Sequence, residues 1–400
     1  MQIEHVMHNL QIFIKRRIES DVYMRLNVFP ALLILGSRQC GKSTLVKMIA
    51  REKANFLYLD LQNTSDLNKL SAPQLFFEAN KNTIICLDEI QQTPHLFSVL
   101  RSEIDRDRRP GRFILLGSAS QELIQKTSES LAGRIGIVEL TPFSIDELML
   151  QNNQTDLRIY WNRGGYPDSF LATNDKFSAM WREDFIRTYV QRDLPQLGFQ
   201  IPALQMRRLM TFCAHLSGQI LNTSKLGESL GVAHTTIRRY IDLLEQTFLV
   251  RVLAPYETNE KKRLVKSPKI YIRDHGILHQ LLRIRDFNDL MGNPVLGSSW
   301  EGLVVENICS VFADCCFSFY RSATGDELDL IVQTSNKTIA IECKASTSPQ
   351  LTKGFWNAVT FVQPQLTLVV APISDCYPIK ENVFVCGIVQ AIELVSKELL

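Results

Sequence analysis

Short apolar runs punctuate the first third of the chain, at Ala31–Leu35, Phe56–Asp60, Thr83–Asp88, Phe113–Gly117 and Ile137–Leu140, with helical or loop segments between them. Runs of this length that are apolar at nearly every position read as strands covered on both faces. Strands alternating with helices in turn predict a parallel, doubly wound α/β sheet. Residues 1–30 read as a mixed-charge helical stretch leading into the first strand, and Thr141-Pro142-Phe143 as the exit from the sheet. Residues 144–200 read as mostly helical, broken at Gly164-Gly165-Tyr166-Pro167, a strong turn signal. The sequence attaches no chemistry to that turn, nor to Arg192-Asp193-Leu194-Pro195 after it.

Farther along, the period changes. Asn222-Thr223 caps a short helix through Leu230, Gly231-Val232-Ala233 turns, and His234 to Gln246 forms a second helix with Ile237, Ile241, Leu243 and Leu244 facing inward. That is a helix-turn-helix pattern. Two apolar stretches, Leu249–Leu253 and Lys269–Ile272, flank the basic loop Lys261-Lys262-Arg263, and the whole reads as a winged helix. On DNA, His234, Thr235, Thr236, Arg238 and Arg239 would reach the groove and the basic loop would meet phosphates. The competing reading is a rigid packing module with a solvated charged face. The last quarter predicts an amphipathic helix over Gly297–Phe312 and strands at Phe317–Ser322, Leu328–Thr334 and Thr338–Ala345. A helix around Phe355–Phe361 and a strand at Leu366–Ala371 follow.

Two places carry candidate chemistry. After the first strand, Gly36-Ser37-Arg38-Gln39-Cys40-Gly41-Lys42-Ser43-Thr44 fits the phosphate-loop pattern at every fixed position. Gly36 and Gly41 let the backbone curl until its N–H groups face phosphate oxygens. Lys42 would reach the β- and γ-phosphates, and Ser43 would hold Mg²⁺ at the start of a helix whose dipole favours anions. The strand ending Cys86-Leu87-Asp88-Glu89 supplies Asp88 as the acidic partner of the ion and Glu89 as a general base for water. Ser118, after the fourth strand, reads either as a γ-phosphate sensor or as a turn former. Arg134 reads either as a finger on a neighbouring subunit's nucleotide or as a surface ion-pair arginine.

The second place is C-terminal. Asp329 enters one strand and Glu342-Cys343-Lys344 lies on the next, which puts polar side chains on one edge of a sheet. Asp329 and Glu342 could share a divalent ion, with Lys344 orienting water or stabilising phosphorane charge. Glu301, on the preceding helix, is the candidate third carboxylate; Glu306, five positions on, falls on another face. This is the residue set that metal-dependent nucleases of the PD-(D/E)xK type use.

At 400 residues the chain is long enough for several domains, and its formal charge of +2 confines any nucleic-acid contact to local basic patches. Nine cysteines without zinc spacing read as thiols in a reducing cytosol, Cys86 and Cys343 among them as buried ones. No leader-like or membrane-length apolar run occurs, so a cytoplasmic protein with no membrane partner is expected.

Taken together the motifs resemble a large prokaryotic group of AAA-type ATPases with a nuclease-like C-terminal domain. The resemblance rests on the phosphate loop, Cys86-Leu87-Asp88-Glu89-Ile90-Gln91, Leu131-Ala132-Gly133-Arg134 and Gly164-Gly165-Tyr166-Pro167. It continues through Val265-Lys266-Ser267-Pro268-Lys269, Trp300-Glu301-Gly302, Glu327-Leu328-Asp329 and Ile341-Glu342-Cys343-Lys344. That group usually has proline at the position of Ser37, threonine at Ser43 and phenylalanine or leucine at Trp300. The resemblance implies ATP and Mg²⁺ as cofactors and a fold related to restriction-type nucleases. The expected organisation is an ATPase domain (1–147), a helical linker (148–200), a winged helix (201–273) and a nuclease-like domain (274–400). Two functions follow: an ATPase coupled to a DNA-directed, Mg²⁺-dependent nuclease, or a nucleotide-gated switch whose C-terminal domain binds DNA or a protein without cutting. A homo-oligomer or protein partner fits either. A small-molecule kinase would seldom need the two additional domains.

Overall fold

The computed structural model describes residues 13–118, 121–151, 155–196, 201–257 and 265–399. The expected basic loop Lys261-Lys262-Arg263 lies outside them, as do the first dozen residues of the expected N-terminal helix, of which Glu19–Leu26 is helical.

β1 (Ala31–Leu35), β2 (Phe56–Asp60), β3 (Ile84–Asp88), β4 (Phe113–Gly117) and β5 (Ile135–Glu139) form one parallel sheet in the order β2-β3-β4-β1-β5. β1 and β4 are buried at every position, as their unbroken apolar runs require, because helices cover both faces. β5 is an edge strand whose burial alternates, and it begins two residues before the expected start. Gly136, with no side chain to mark the pattern, hid that start. β4 lies between β1 and β3 in space, so Ser118 emerges between the phosphate loop and the acidic tip of β3.

The middle of the chain carries helices Ala203–His215, Thr223–Leu230 and His234–Gln246. With them is an antiparallel sheet of β6 (Gln219–Ile220), β7 (Val250–Leu253) and β8 (Lys269–Ile272), in the order β6-β8-β7. The side chain of Asn222 accepts from Lys225 N at 3.0 Å, Gly231 takes the left-handed turn, and Ile237, Ile241, Leu243 and Leu244 are buried. The same apolar core continues upstream into Tyr166, Phe185 and Val190 and downstream to Leu281.

The C-terminal unit is a mixed sheet of six strands: β9 (Cys316–Arg321), β10 (Glu327–Gln333), β11 (Thr338–Cys343), β12 (Leu366–Val370), β13 (Cys376–Lys380) and β14 (Val383–Cys386). Their order is β13-β14-β12-β11-β10-β9. Helices Leu296–Val311, Lys353–Val362 and Ile388–Leu399 cover it. β13 is exposed throughout, and an all-exposed strand carries no alternation for a reader of the sequence to see. Trp161 packs on Trp300, ring centroids 4.9 Å apart, within a core that runs from Phe143 into this unit.

All nine cysteines are free; Cys86 is buried and Cys343 half-buried. Among the described residues no helix is long and apolar enough to cross a membrane.

Candidate functional site

The loop after β1 has the strained backbone that a phosphate cradle needs. Gln39 (φ 61°) and Gly41 (φ 103°) both adopt left-handed conformations, and helix Lys42–Arg51 starts directly behind them. The buried ammonium of Lys42 donates to the carbonyls of Gly36 (2.9 Å) and Ser37 (2.8 Å). Ser43 Oγ donates to Asp88 Oδ2 at 2.7 Å, so the hydroxyl from the helix and the carboxylate from β3 already meet. Asp88 Oδ1 accepts from the backbone N–H of Glu89 at 2.9 Å. Tyr58 on β2 donates to Asp88, and burial followed by that carboxylate raises its phenol well above the ordinary value. Arg38 and Cys40 sit in the loop, Cys40 buried, and Thr44 is exposed on the first helical turn. A hydroxyl and a carboxylate side by side at a helix start are hard oxygen donors of the kind that bind Mg²⁺ together with phosphates. The residues fit a magnesium nucleotide.

Glu89 is itself left-handed (φ 58°), an uncommon conformation for a residue with a side chain. It swings out of the strand direction at the tip of β3. Gln91 Nε2 donates both to Glu89 and to Ser118 Oγ (3.1 Å), linking the fourth strand's tip to the candidate base. An open cleft lies over this edge, and its walls include Arg38, Glu89, Ser118, Tyr166, Asp193 and Thr247. The last three come from outside the parallel sheet.

Those three are what the sequence could not assign. Asp193, in the π-helical turn Tyr189–Asp193, pairs with Arg38 of the phosphate loop. Burial pushes the Asp193 carboxyl up, against the pull of Arg38 and Arg192. Tyr189 of the same turn is hydrogen-bonded to Thr247, the residue that ends helix His234–Gln246. The Gly-Gly-Tyr-Pro turn sets Tyr166 against the loop. Gly165 donates to Asp274 Oδ2 (2.8 Å) and accepts from Phe143 N (2.7 Å), while a Cβ on it would collide with the carbonyl oxygen of Phe143. No local pattern announces a partner 155 positions away, which is the separation of Arg38 and Asp193.

Arg134 lies at the other edge of the sheet. It forms a bidentate pair with Asp105 (2.6 and 2.9 Å) just before β5, at the end where Ala31 begins β1. One strand length, on the order of 16 Å for five residues, separates that edge from the phosphate loop of the same chain. Arg134 is therefore not placed to contact a nucleotide at the phosphate loop of its own chain.

The C-terminal residues do come together, in an arrangement the sequence did not anticipate. Asp329 on β10 lies beside Glu342 on β11, with Leu330 paired to Ile341, and Asp329 Oδ2 accepts from Cys343 N at 2.8 Å. Glu342 binds Lys344 at 2.6 Å through one oxygen, while its buried Oε2 has no hydrogen-bond partner among the described residues. Glu301 joins the group from helix Leu296–Val311, and Lys269 of β8 bridges it to Asp329. Its ammonium lies 2.8 Å from Glu301, 2.7 Å from Glu327 and 3.3 Å from Asp329. Burial alone would lower the Lys269 pKa; Glu301, Asp329 and Glu327 outweigh it and hold the group above its ordinary value. Burial and then Asp329 raise both Glu301 and Glu342. Among the described residues no group of three or more His, Cys, Asp or Glu side chains is arranged to hold a metal ion. These carboxylates, as placed, do not fit the shared-ion expectation.

A charge node also joins the units. Arg273, just past β8, reaches Glu139 of β5 (2.6 Å) and Glu306 of helix Leu296–Val311 (2.6 Å), and Arg251 of β7 holds the same Glu306 at 2.7 Å. Burial would raise Glu306, yet the two guanidinium groups outweigh it and hold the carboxyl below the usual range.

Three family descriptions match the chain in series: "AAA domain" over residues 28–149, "Domain of unknown function (DUF8612)" over 154–288 and "Domain of unknown function (DUF4143)" over 296–391. The uncharacterized proteins Mb2031c of Mycobacterium bovis and Rv2008c of Mycobacterium tuberculosis are each 39% identical to it over 354 residues. That alignment covers 88% of this chain and 79% of theirs. Among solved structures, the Walker-type ATPase PABY2304 of Pyrococcus abyssi aligns with a TM-score of 0.47 and 16% identity, over 68% of this chain and 96% of that one.

Proposed function

The chain belongs to the family of the uncharacterized mycobacterial proteins Mb2031c and Rv2008c and carries an AAA-type ATPase domain; on that premise we propose that it is an ATP-hydrolysing switch whose nucleotide state governs DNA binding by its middle unit. The observation that carries this reading is the contact path from the phosphate loop to helix His234–Gln246. Arg38 pairs with Asp193, the π-helical turn carries Tyr189, and Tyr189 bonds Thr247 at the C-terminal end of that helix. The helix is thirteen residues long, about 20 Å. Its N-terminal end presents His234, Thr235, Arg238 and Arg239 to solvent, with Thr236 half-buried. Among the described residues neither arginine enters an ion pair, which leaves both free for phosphates or base edges.

Bound Mg²⁺ would neutralise charge on the β- and γ-phosphates. On this reading Ser43 and Asp88 hold the ion, Lys42 exchanges the Gly36 and Ser37 carbonyls for phosphate oxygens, and Glu89 takes a proton from the attacking water. Ser118 and Gln91 keep the Glu89 carboxylate oriented. Arg38, drawn toward the γ-phosphate, would leave Asp193 and release the turn that contacts Thr247.

The test is fluorescence anisotropy of a labelled duplex with the Glu89→Gln chain in ATP and in ADP. Allosteric couplings are on the order of 5- to 150-fold in affinity, and a difference within that range is expected. Arg238→Ala/Arg239→Ala should abolish binding in both states. Equal affinities in ATP and ADP would sink the switch. A second reading, a Mg²⁺-dependent nuclease at Asp329, Glu342 and Lys344, is favoured only by the residue set itself. Its signature would be metal-dependent cleavage that disappears in Glu342→Ala.

A further inference from the structure

Lys269 belongs to the middle sheet, yet its side chain ends inside the C-terminal unit. Only 2% of that side chain is exposed, and the Phe319 ring closes one side with its centroid 5.5 Å from Nζ. An ammonium has three N–H donors, and three carboxylate oxygens lie within 3.3 Å of this one, from Glu301, Glu327 and Asp329. Two of the other carboxylate oxygens have partners of their own. Asp329 Oδ2 takes Cys343 N and Glu327 Oε2 faces Arg321 at 3.5 Å, while Tyr271, two residues along β8, donates at 2.6 Å to the same Glu301 oxygen that Lys269 meets. The middle unit thus brings a cation and a hydroxyl to the same carboxylates, and Lys344 brings a second cation to Glu342.

We infer that Lys269 is the resident cation of this centre: β8 supplies the positive charge that a divalent ion would otherwise bring, and the carboxylates bind such an ion only when Lys269 is absent. The argument is one of desolvation and occupancy. Buried carboxylates need a compensating charge or a proton, and a covalently tethered ammonium in contact with three of them provides it without depending on any free ion concentration. A hard divalent cation wants the same oxygens, so the two occupants exclude each other. With Lys269 removed, Glu301, Glu327 and Asp329 converge on an uncompensated space, and the buried unpartnered oxygen of Glu342 is a further donor beside it. The centre is therefore a clasp between the middle and C-terminal units that shares its carboxylates with a latent ion site. This inference is independent of nucleotide gating and stands or falls separately from it.

The probe is Mn²⁺ alone, its free concentration followed by electron paramagnetic resonance with the full chain and no nucleotide. An Asp88→Ala background removes the ion site at the phosphate loop. In that background the native centre and Asp329→Asn should bind Mn²⁺ equally weakly. Lys269→Met, which keeps the length of the side chain and removes its charge, should gain one site at least tenfold tighter, and adding Asp329→Asn should erase the gain. Mn²⁺ binding by the native centre that is lost in Asp329→Asn would overturn the inference, because ion and lysine would then coexist. A folded Lys269→Met chain with no added site would overturn it as well. Should Lys269→Met fail to fold, the comparison of the native centre with Asp329→Asn decides alone: equal binding upholds the exclusion and unequal binding refutes it.

Discussion

Asp193 touches no nucleotide on the proposed reading, yet replacing it with asparagine should tighten ATP binding. The Arg38 side chain is 23% exposed and the Asp193 side chain 9%, so their ion pair lies between a surface pair and a buried one. Exposed pairs contribute about 0–1 kcal/mol, and breaking a fully buried pair costs about 3–5 kcal/mol. A value of about 1–2 kcal/mol suits the intermediate burial. In the chain as it stands, Arg38 must surrender that amount before it can turn to the γ-phosphate. Asp193→Asn keeps the shape and removes the attraction, so the competent loop becomes more populated and the apparent dissociation constant falls in proportion. At 1.4 kcal/mol per decade, the gain is about 5- to 30-fold.

Calorimetric titration with Mg²⁺ and a slowly hydrolysed ATP analogue measures it, and ADP, which lacks the γ-phosphate, is the control and should gain less. The decisive comparison is a double-mutant cycle. In an Arg38→Ala background, Asp193→Asn should change nothing, because the residue it releases is gone. A gain of the same size in that background, or weaker ATP binding in Asp193→Asn alone, would refute the competition.

Other perturbations follow from the same geometry. Glu89→Gln should slow phosphate release by about 10²- to 10⁴-fold while leaving the calorimetric affinity for ATP within error of the native value; a rate close to native would assign the base elsewhere. Gly165→Ala must push the Phe143 carbonyl aside and should cost about 1–3 kcal/mol in urea denaturation, and an unchanged midpoint would show that the turn yields freely. Glu306→Gln leaves Arg251 and Arg273 without their buried counter-charge and should cost about 3 kcal/mol at pH 7. Because the folded carboxyl titrates below its unfolded value of about 4.3, its contribution is complete above that pH and is lost as pH falls through the folded pKa. The urea midpoints of the native chain and of Glu306→Gln should accordingly converge as the pH falls below the ordinary carboxylate range, and a constant gap would reject the assignment.

What could be read in the sequence was local. β1, β3 and β4 showed themselves as unbroken apolar runs because helices cover both faces of the sheet there, and the phosphate loop was legible because its chemistry sits within nine consecutive residues. The helix-turn-helix was visible for the same reason, through one cap, one glycine and one 3.6-residue period. What stayed hidden depends on residues far apart in the chain. Lys269 looked like the first residue of an ordinary strand, since nothing in Lys269-Ile270-Tyr271-Ile272 indicates that its first side chain leaves the sheet. Glu306 was set aside because it shares no helix face with Glu301, and that is why it serves a different node.

The three charge nodes between units are physically unequal, and the difference suggests which contacts move. A well-packed apolar contact would hold the units at least as firmly as buried ions do, so charge at these places is poorly explained by stability alone. What charge adds is the possibility of competition. Arg38 has a natural competitor for Asp193 in a phosphate, and the carboxylates around Lys269 have one in a divalent cation. Glu306, held between two guanidinium groups and linked through Arg273 to Glu139, has no comparable competitor, since an anion entering there would have to displace a carboxylate bound on both sides. On the proposed reading Glu306, Arg251 and Arg273 form the node that no free ligand contests. On the same reading the contact at Arg38 is the one that nucleotide would open, and the contact at Lys269 is the one that keeps a divalent ion out.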